Sequence, residues 1–360
     1  MWWILFSEGC RYAWTRNYSA FVRGVSARLM RKNLVYTKVF QAIVAKYAPC
    51  EMAHNIPYPP DEVAPALSAG LEAGGVIGSG MVAVVFAGTA NGRPVAIKVK
   101  RKDIAAKLAA GLRDVKRTLG ALAWLPWLRR FSLLEVLAEV REMLLAQIDF
   151  EQEARNQTRF RAMYAFNKRI VVPKLHPEFC TSEQLVMDLL QGGPPQDCPD
   201  AAALFSQVIV KSAVIDGFIH ADMHVGNVFF MKEGLGIIDF GLMLELTKEQ
   251  QDAYIILSKF LLANCYDEAA IYTLNTYFTR APQMPPNLVP KISAIFRAVK
   301  QRNVFGVNEV AEMAAAAYPY KVAPFFYKIV LSMGAADALL QKLSSTSLDL
   351  LLQNVATFSD

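Results

Sequence analysis

The run His220-Ala221-Asp222-Met223-His224-Val225-Gly226-Asn227, followed by Ile238-Asp239-Phe240-Gly241, holds the side chains that phosphoryl transfer requires. That chemistry needs a carboxylate to orient the attacking hydroxyl and two further oxygen donors to hold Mg²⁺ against the phosphates. Asp222, Asn227 and Asp239 fit these jobs. Asn227 follows Asp222 at the offset of a D-x-x-x-x-N catalytic loop, and Asp239 opens a D-F-G after an intervening hairpin. A D-F-G by itself carries little information; joined to H-x-D-x-x-x-x-N on its N-terminal side, it is specific. Two blander readings compete with it. In one, His220 and His224 are core or turn histidines and the aspartates cap helices. In the other, His220, Asp222 and His224 form a metal site of H-x-D-x-H spacing, which leaves Asn227 and Asp239 without a role.

Upstream, Val95-Ala96-Ile97-Lys98 has the form of a strand lysine that pairs with nucleotide phosphates, and such an ammonium needs a carboxylate to hold it. Glu153, in Asp149-Phe150-Glu151-Gln152-Glu153-Ala154-Arg155-Asn156, is the expected partner. Ahead of the lysine, Gly78-Ser79-Gly80-Met81-Val82-Ala83 places glycines between two strands, where backbone N–H groups can approach phosphates closely. The adenine is expected against the backbone from Met187 to Leu189, by position rather than by side-chain chemistry. Taken singly, the lysine reads as a solvated charge and the loop as an ordinary glycine turn; their order along the chain links them.

These groups need a sheet to carry the lysine and a helix to carry Glu153. Val82–Phe86 and Val95–Val99 read as strands joined by the hairpin signal Asn91-Gly92. Ile104 to Phe160 has helical spacing with one break around Pro126, and Val171–Leu175 and Gln184–Leu189 read as short buried strands. Gly192-Gly193-Pro194-Pro195 reads as a turn, Ala201–Asp216 as a helix, and Val228–Met231 with Gly236–Ile238 as a hairpin. From Lys248 onward the chain is apolar helical sequence broken at Pro282, Pro285, Pro286 and Pro290. The expected fold is α+β and two-lobed, like a protein kinase. A helical extension and Pro-rich connector occupy 1–65, an N-lobe with nucleotide loop and helical insert 66–190, and a large helical C-lobe 191–360.

At 360 residues and 54% hydrophobic, the chain can bury a substantial core, which argues against disorder. The net charge of +6 is concentrated early, since Glu8 is the only acidic residue between Met1 and Cys50. No nucleic-acid partner is expected. Cys10, Cys50, Cys180, Cys198 and Cys265 lack C-x-x-C spacing and read as free thiols in a reducing compartment. The apolar start Met1–Phe6 is too short to span a membrane, and no later stretch approaches ~18 uncharged apolar residues. The basic, aromatic N-terminus fits membrane-surface attachment or organelle targeting, and equally a packing helix. Its arginine content would suit a mitochondrial presequence, although Trp2 and Trp3 are unusual there.

The long, basic, helical interval between Lys98 and Glu153, the Asp149–Asn156 segment and His220–Asn227 together resemble the UbiB-type atypical kinase family, the group linked to coenzyme Q biosynthesis. The resemblance runs from about Leu34 to the C-terminus. It implies that Asp222 is the catalytic base, that Asn227 and Asp239 bind Mg²⁺, and that Lys98 and Glu153 form an ion pair. Three departures stand out. The family's K-x-G-Q signature becomes Lys38-Val39-Phe40-Gln41, its E-x-D becomes Gln147-Ile148-Asp149, and its alanine-rich nucleotide loop becomes Gly78-Ser79-Gly80. These changes predict a more permissive phosphate loop and a weakened family-type lid; the alternative for Lys38 and Gln41 is a solvated helix face.

The resemblance therefore implies an enzyme that binds ATP or ADP with Mg²⁺ and acts as an ATPase or phosphotransferase toward a lipid or small molecule. Its expected setting is isoprenoid quinone metabolism, inside the cell and peripheral to a membrane, with lipid surface or quinone-biosynthesis proteins as partners. A small-molecule kinase of the aminoglycoside or choline type shares the H-x-D-x-x-x-x-N logic, but the long Lys98-to-Glu153 interval argues against it. A nucleotide-gated pseudokinase that presents an apolar surface to lipid or protein is the reading from a different class.

Overall fold

Asn91 and Gly92 both take positive φ, 49° and 77°, the mirror-image turn whose twist matches that of a strand pair. The hairpin they close is the centre of the first sheet. The computed structural model describes residue 7 and residues 63–122, 133–278, 287–305, 307–317, 320 and 322–359. The N-terminal helical extension, with Lys38 and Gln41, and the break at Pro126 lie outside them.

Among the described residues the strands are β1 (Leu71–Ser79), β2 (Ala83–Ala90), β3 (Arg93–Lys100), β4 (Ile170–Val171), β5 (Gln184–Asp188), β6 (Phe218–His220), β7 (Val228–Met231), β8 (Gly234–Ile237) and β9 (Met243–Glu245). The helices are α1 (Ile104–Leu122), α2 (Leu133–Ala146), α3 (Phe150–Met163), α4 (Ala201–Val214), α5 (Lys248–Leu262), α6 (Tyr266–Tyr277), α7 (Leu288–Arg302), α8 (Val307–Ala316), α9 (Pro324–Leu343) and α10 (Ser347–Ser359). They form two compact units. One combines Leu175–Asp188 with the described residues up to Gln152; the other combines Glu153–Lys174 with the chain from Leu189 onward.

The first unit holds the antiparallel sheet β1-β2-β3-β5. Val95, Ile97 and Val99 alternate along β3 and bury one face with Leu71, Ala90, Phe179 and Val186. The intervening Ala96, Lys98 and Lys100 belong to the other face. Bulges between Ala73 and Val76 and between Val76 and Gly78 interrupt the outer strand β1, a device that blunts a sheet edge.

In the second unit α4 is apolar on nearly every side, as a helix at the centre of a bundle must be. It packs with Phe160, Phe218, Phe230, Phe240 and residues of α9 and α10 in one cluster. A second cluster joins α5 to α8. β4, β8 and β7 form a three-stranded sheet and β6 pairs with β9.

The structure differs from the sequence expectation at several points. A further helix break falls at Gln147–Asp149, where the Asp149 carboxylate accepts from the Gln152 N–H at 2.9 Å and starts α3. The strand expected over Val171–Leu175 shortens to Ile170–Val171 with one isolated bridge, Leu175 to Met187. Pro290 breaks nothing: it lies in the first turn of α7, where its missing N–H would have had no partner. The β6–β9 pair was not anticipated, because three-residue strands leave too short a pattern to read.

Candidate active site

His220 ends β6 and is almost wholly buried. Its Nδ1 accepts the Asp222 backbone N–H at 3.2 Å, and its Nε2 lies 3.1 Å from the Ile238 carbonyl oxygen. A carbonyl can only accept, so Nε2 carries the proton and the ring is the neutral Nε2–H tautomer. Burial pushes the imidazole below the ordinary histidine range, in keeping with that state. The ring also meets Phe240 edge-on, with centroids 5.3 Å apart. With both nitrogens committed to backbone, His220 cannot ligate a metal, which removes the His220–Asp222–His224 metal reading.

The loop beyond it is closed by its own backbone. The His224 N–H and the Asn227 side-chain amide both donate to the Asp222 carbonyl, at 3.0 and 2.9 Å. The Asn227 N–H donates to the His224 carbonyl at 2.9 Å, and the Ile238 N–H to the Asn227 carbonyl at 3.0 Å. The His224 imidazole lies so close over Gly226 that a Cβ there would stand 2.9 Å from its Cε1. A larger residue before Asn227 would therefore have to displace that imidazole.

Asp239 has φ of 62°, a left-handed conformation that costs an L-residue about 1–2 kcal/mol. Its carboxylate accepts weakly from the Gly241 N–H at 3.4 Å. The next residue is held from another element: the Asn156 side-chain amide on α3 donates to the Phe240 carbonyl at 2.9 Å. Glu153, Gln157 and Phe160 share the buried face of the same helix. Arg159 pairs with Glu245 of β9, and its guanidinium lies 3.9 Å from the Phe218 ring centroid. Asp222, Asn227 and Asp239 are thus brought together by one network through His220 and Ile238, with Glu153 three residues before the asparagine that clamps it.

The first unit orders its own residues. Gly78, Val85, Lys98 and Leu185 stand opposite one another across the four strands. The Lys98 ammonium lies 5.5 Å from the Phe150 ring centroid and that of Lys100 4.9 Å. Between β1 and β2 the Gly80 N–H donates to the Ala83 carbonyl at 2.8 Å. Arg101, almost wholly buried, donates from Nε to the Gly80 carbonyl at 2.9 Å and from Nη2 to the Ser79 hydroxyl at 2.8 Å. Neither Gly78 nor Gly80 needs to be glycine for the fold, since a Cβ would sit 3.5 Å and 3.6 Å from its nearest neighbours. Met187 is buried in β5 opposite Ala96, and Leu189 follows the strand.

The fit to a magnesium ion can be judged from the donors. Asn227 spends its amide nitrogen on Asp222, which leaves Oδ1 as its ligating atom, and Asp239 supplies carboxylate oxygens. That is a hard, oxygen-only set, too small to cage a metal alone and suited to Mg²⁺ shared with phosphates. Among the described residues no group of three or more His, Cys, Asp or Glu side chains could hold a metal by itself.

Residues 76–272 match the model of the ABC1 atypical kinase-like domain. The chain belongs to the ABC1 atypical kinase-like family. Within it, the chain is 32% identical over 181 residues to the probable protein kinase UbiB of Erwinia tasmaniensis, covering 45% of this chain and 32% of the relative. It is likewise 32% identical over 155 residues to that of Aeromonas salmonicida, covering 40% and 28%. The matched region thus spans about a third of those curated relatives, and this chain is a divergent UbiB-type member. Among solved structures, the complex of Rv3197 with erythromycin from Mycobacterium tuberculosis aligns with a TM-score of 0.51 at 18% identity, over 80% of this chain and 76% of that one. At that identity the likeness establishes the kinase-like fold alone.

Two positioning residues of this ABC1 chain were not singled out from sequence. Asn156 sat in the segment that carries the resemblance, without a role. Arg101 had no signal, since a buried arginine three residues after the lysine looks like any other charge. Among the described residues no helix is long and apolar enough to cross a membrane.

Proposed function

We propose that this chain binds Mg·ATP and uses it as an ATPase or phosphotransferase toward a lipid or small molecule, in the service of ubiquinone or related isoprenoid lipid metabolism. The observation that carries the reading is the shared network of Asp222, Asn227 and Asp239 through His220 and Ile238, with Asp239 held in a strained backbone state. The quinone setting rests on the UbiB relatives' name and on the resemblance.

In this reading Asp222 accepts the proton of the attacking hydroxyl or water and orients it. His220 holds the Asp222 backbone in place from beneath, as a neutral donor and acceptor that takes no proton. Asn227 and Asp239 would hold the metal, which when bound neutralises charge on the phosphate oxygens. Lys98 is assigned to the nucleotide phosphates, with Glu153 as the carboxylate that the resemblance pairs with it. The Gly78–Ala83 turn, held by Arg101, offers backbone N–H groups to phosphate oxygens, and the Met187–Leu189 backbone takes the adenine. Peripheral membrane association and quinone-biosynthesis partners belong to the same proposal.

The test is phosphate release from Mg·ATP with and without liposomes, combined with an untargeted search for phosphorylated products, using Asp222→Asn as control. Release or transfer that Asp222→Asn abolishes supports the proposal. Saturable ATP binding with no release under any condition supports the nucleotide-gated binder instead.

A further inference from the structure

We propose that the helical part of the second unit holds a separate binding site for a small hydrophobic amine: an apolar cavity in which the Asp337 carboxylate and an aromatic wall receive an alkylammonium group. The cavity encloses about 80 Å³, and its wall includes Tyr254, Tyr277, Phe305, Phe326, Ile329 and Asp337. That is roughly half of a cavity of about 150 Å³ that takes benzene, so it suits a ligand smaller than benzene with a short alkyl chain.

The acid is the feature that needs an explanation. A carboxyl group in a wall of leucine, isoleucine and aromatic side chains costs stability that an apolar residue would not. On its own helix the Gln341 Nε2 donates to Oδ2 at 2.5 Å. Among the described residues Glu309 disfavours its ionisation, the acid in turn disfavours ionisation of Tyr254, and Arg302 is directed to Glu309 at 3.7 Å. Burial accordingly pushes Asp337 up to about 7, well above the ordinary carboxylate range. A ligand that brings a positive charge reverses this penalty; a neutral ligand does not. The aromatic wall suits the same ligand, because an ammonium is attracted to the ring faces while its alkyl chain fills the apolar remainder. Tyr277 and Phe326 already stack there, with centroids 4.2 Å apart.

The site is distinct from the Mg·ATP groups. Ile329 nevertheless packs on its other side with Ala213, Ile219 and Leu246, so the cavity lies one layer of side chains behind β6, whose last residue is His220.

Ligand-observed NMR titration of the full chain at pH 7.5 with n-butylamine and n-butanol tests the proposal. The expected result is saturable binding of butylamine at least ten-fold tighter than of butanol. Asp337→Asn, a neutral replacement of the same shape, should erase that preference while leaving butanol binding in place. Ile329→Phe, which fills the cavity, should abolish both, with a melting curve confirming that the variant is folded. Absence of saturable amine binding in the wild type, equal affinity for amine and alcohol, or an unchanged preference in Asp337→Asn would each overturn it.

Discussion

Truncating Asn156 to alanine removes a side chain on α3 that holds the D-F-G backbone through the Phe240 carbonyl. Phe240 is fully buried, so its carbonyl has no water to replace the lost donor, and an unsatisfied buried acceptor costs about 1–3 kcal/mol. Melting should fall by about 2–4 °C for each kcal/mol lost. The effect on activity has a separate origin. Asp239 is kept at φ of 62° against a preference of about 1–2 kcal/mol for ordinary backbone. Releasing its neighbour lets that preference act and depopulates the metal-holding conformation by a factor of roughly 5–30. Phosphate release at saturating Mg·ATP should drop within that range, while Asn156→Asp, which places a carboxylate against the carbonyl, should do worse. An alanine variant that melts and turns over like the wild type would refute the clamp; one that loses stability with full turnover would confine Asn156 to the fold.

Other outcomes follow from the same contacts. Gly78→Ala and Gly80→Ala should keep wild-type melting, because the added methyl meets only ordinary contacts, yet weaken ATP in a binding titration; unchanged affinity would remove the phosphate-loop assignment. Arg101→Ala should destabilise by about 1.5–3 kcal/mol and raise KM for ATP more than it lowers kcat, since it holds Ser79 and Gly80 rather than any reacting atom. Asp337 gives a pH dependence with a definite sign. Its folded pKa of about 7 lies above the unfolded value, so its contribution is complete below about pH 4 and is lost as pH rises through 7. The stability advantage of Asp337→Asn should therefore grow from pH 5 to 8, bounded by about 4 kcal/mol at about 1.4 kcal/mol per unit. A pH-independent difference in melting would contradict it.

What could be read from the sequence was what local chemistry fixes. Asn91-Gly92 dictated a turn, and the offsets between Asp222, Asn227 and Asp239 named a loop whose hydrogen bonds run largely within itself. The residues that hold this loop from outside were not legible. Asn156 and Phe240 are 84 positions apart, and Arg101 and Gly80 are 21 apart. Such partners are chosen by packing, and no periodicity records them. Pro290 was misread for a related reason, because a proline's meaning depends on whether it stands in a helix's first turn or its interior. The cavity around Asp337 had no sequence signal, since an acid on an amphipathic helix ordinarily faces water.

In the proposed function Asn227 and Asp239 hold a metal that in turn holds the nucleotide. Calorimetric titration of ATP into wild type and Asp239→Asn, each with Mg²⁺ and with EDTA, tests it most directly. Wild-type affinity should fall at least ten-fold when Mg²⁺ is removed, and the variant should bind weakly in both conditions. Wild-type binding that is indifferent to EDTA, or a variant that retains the full magnesium dependence, would contradict it.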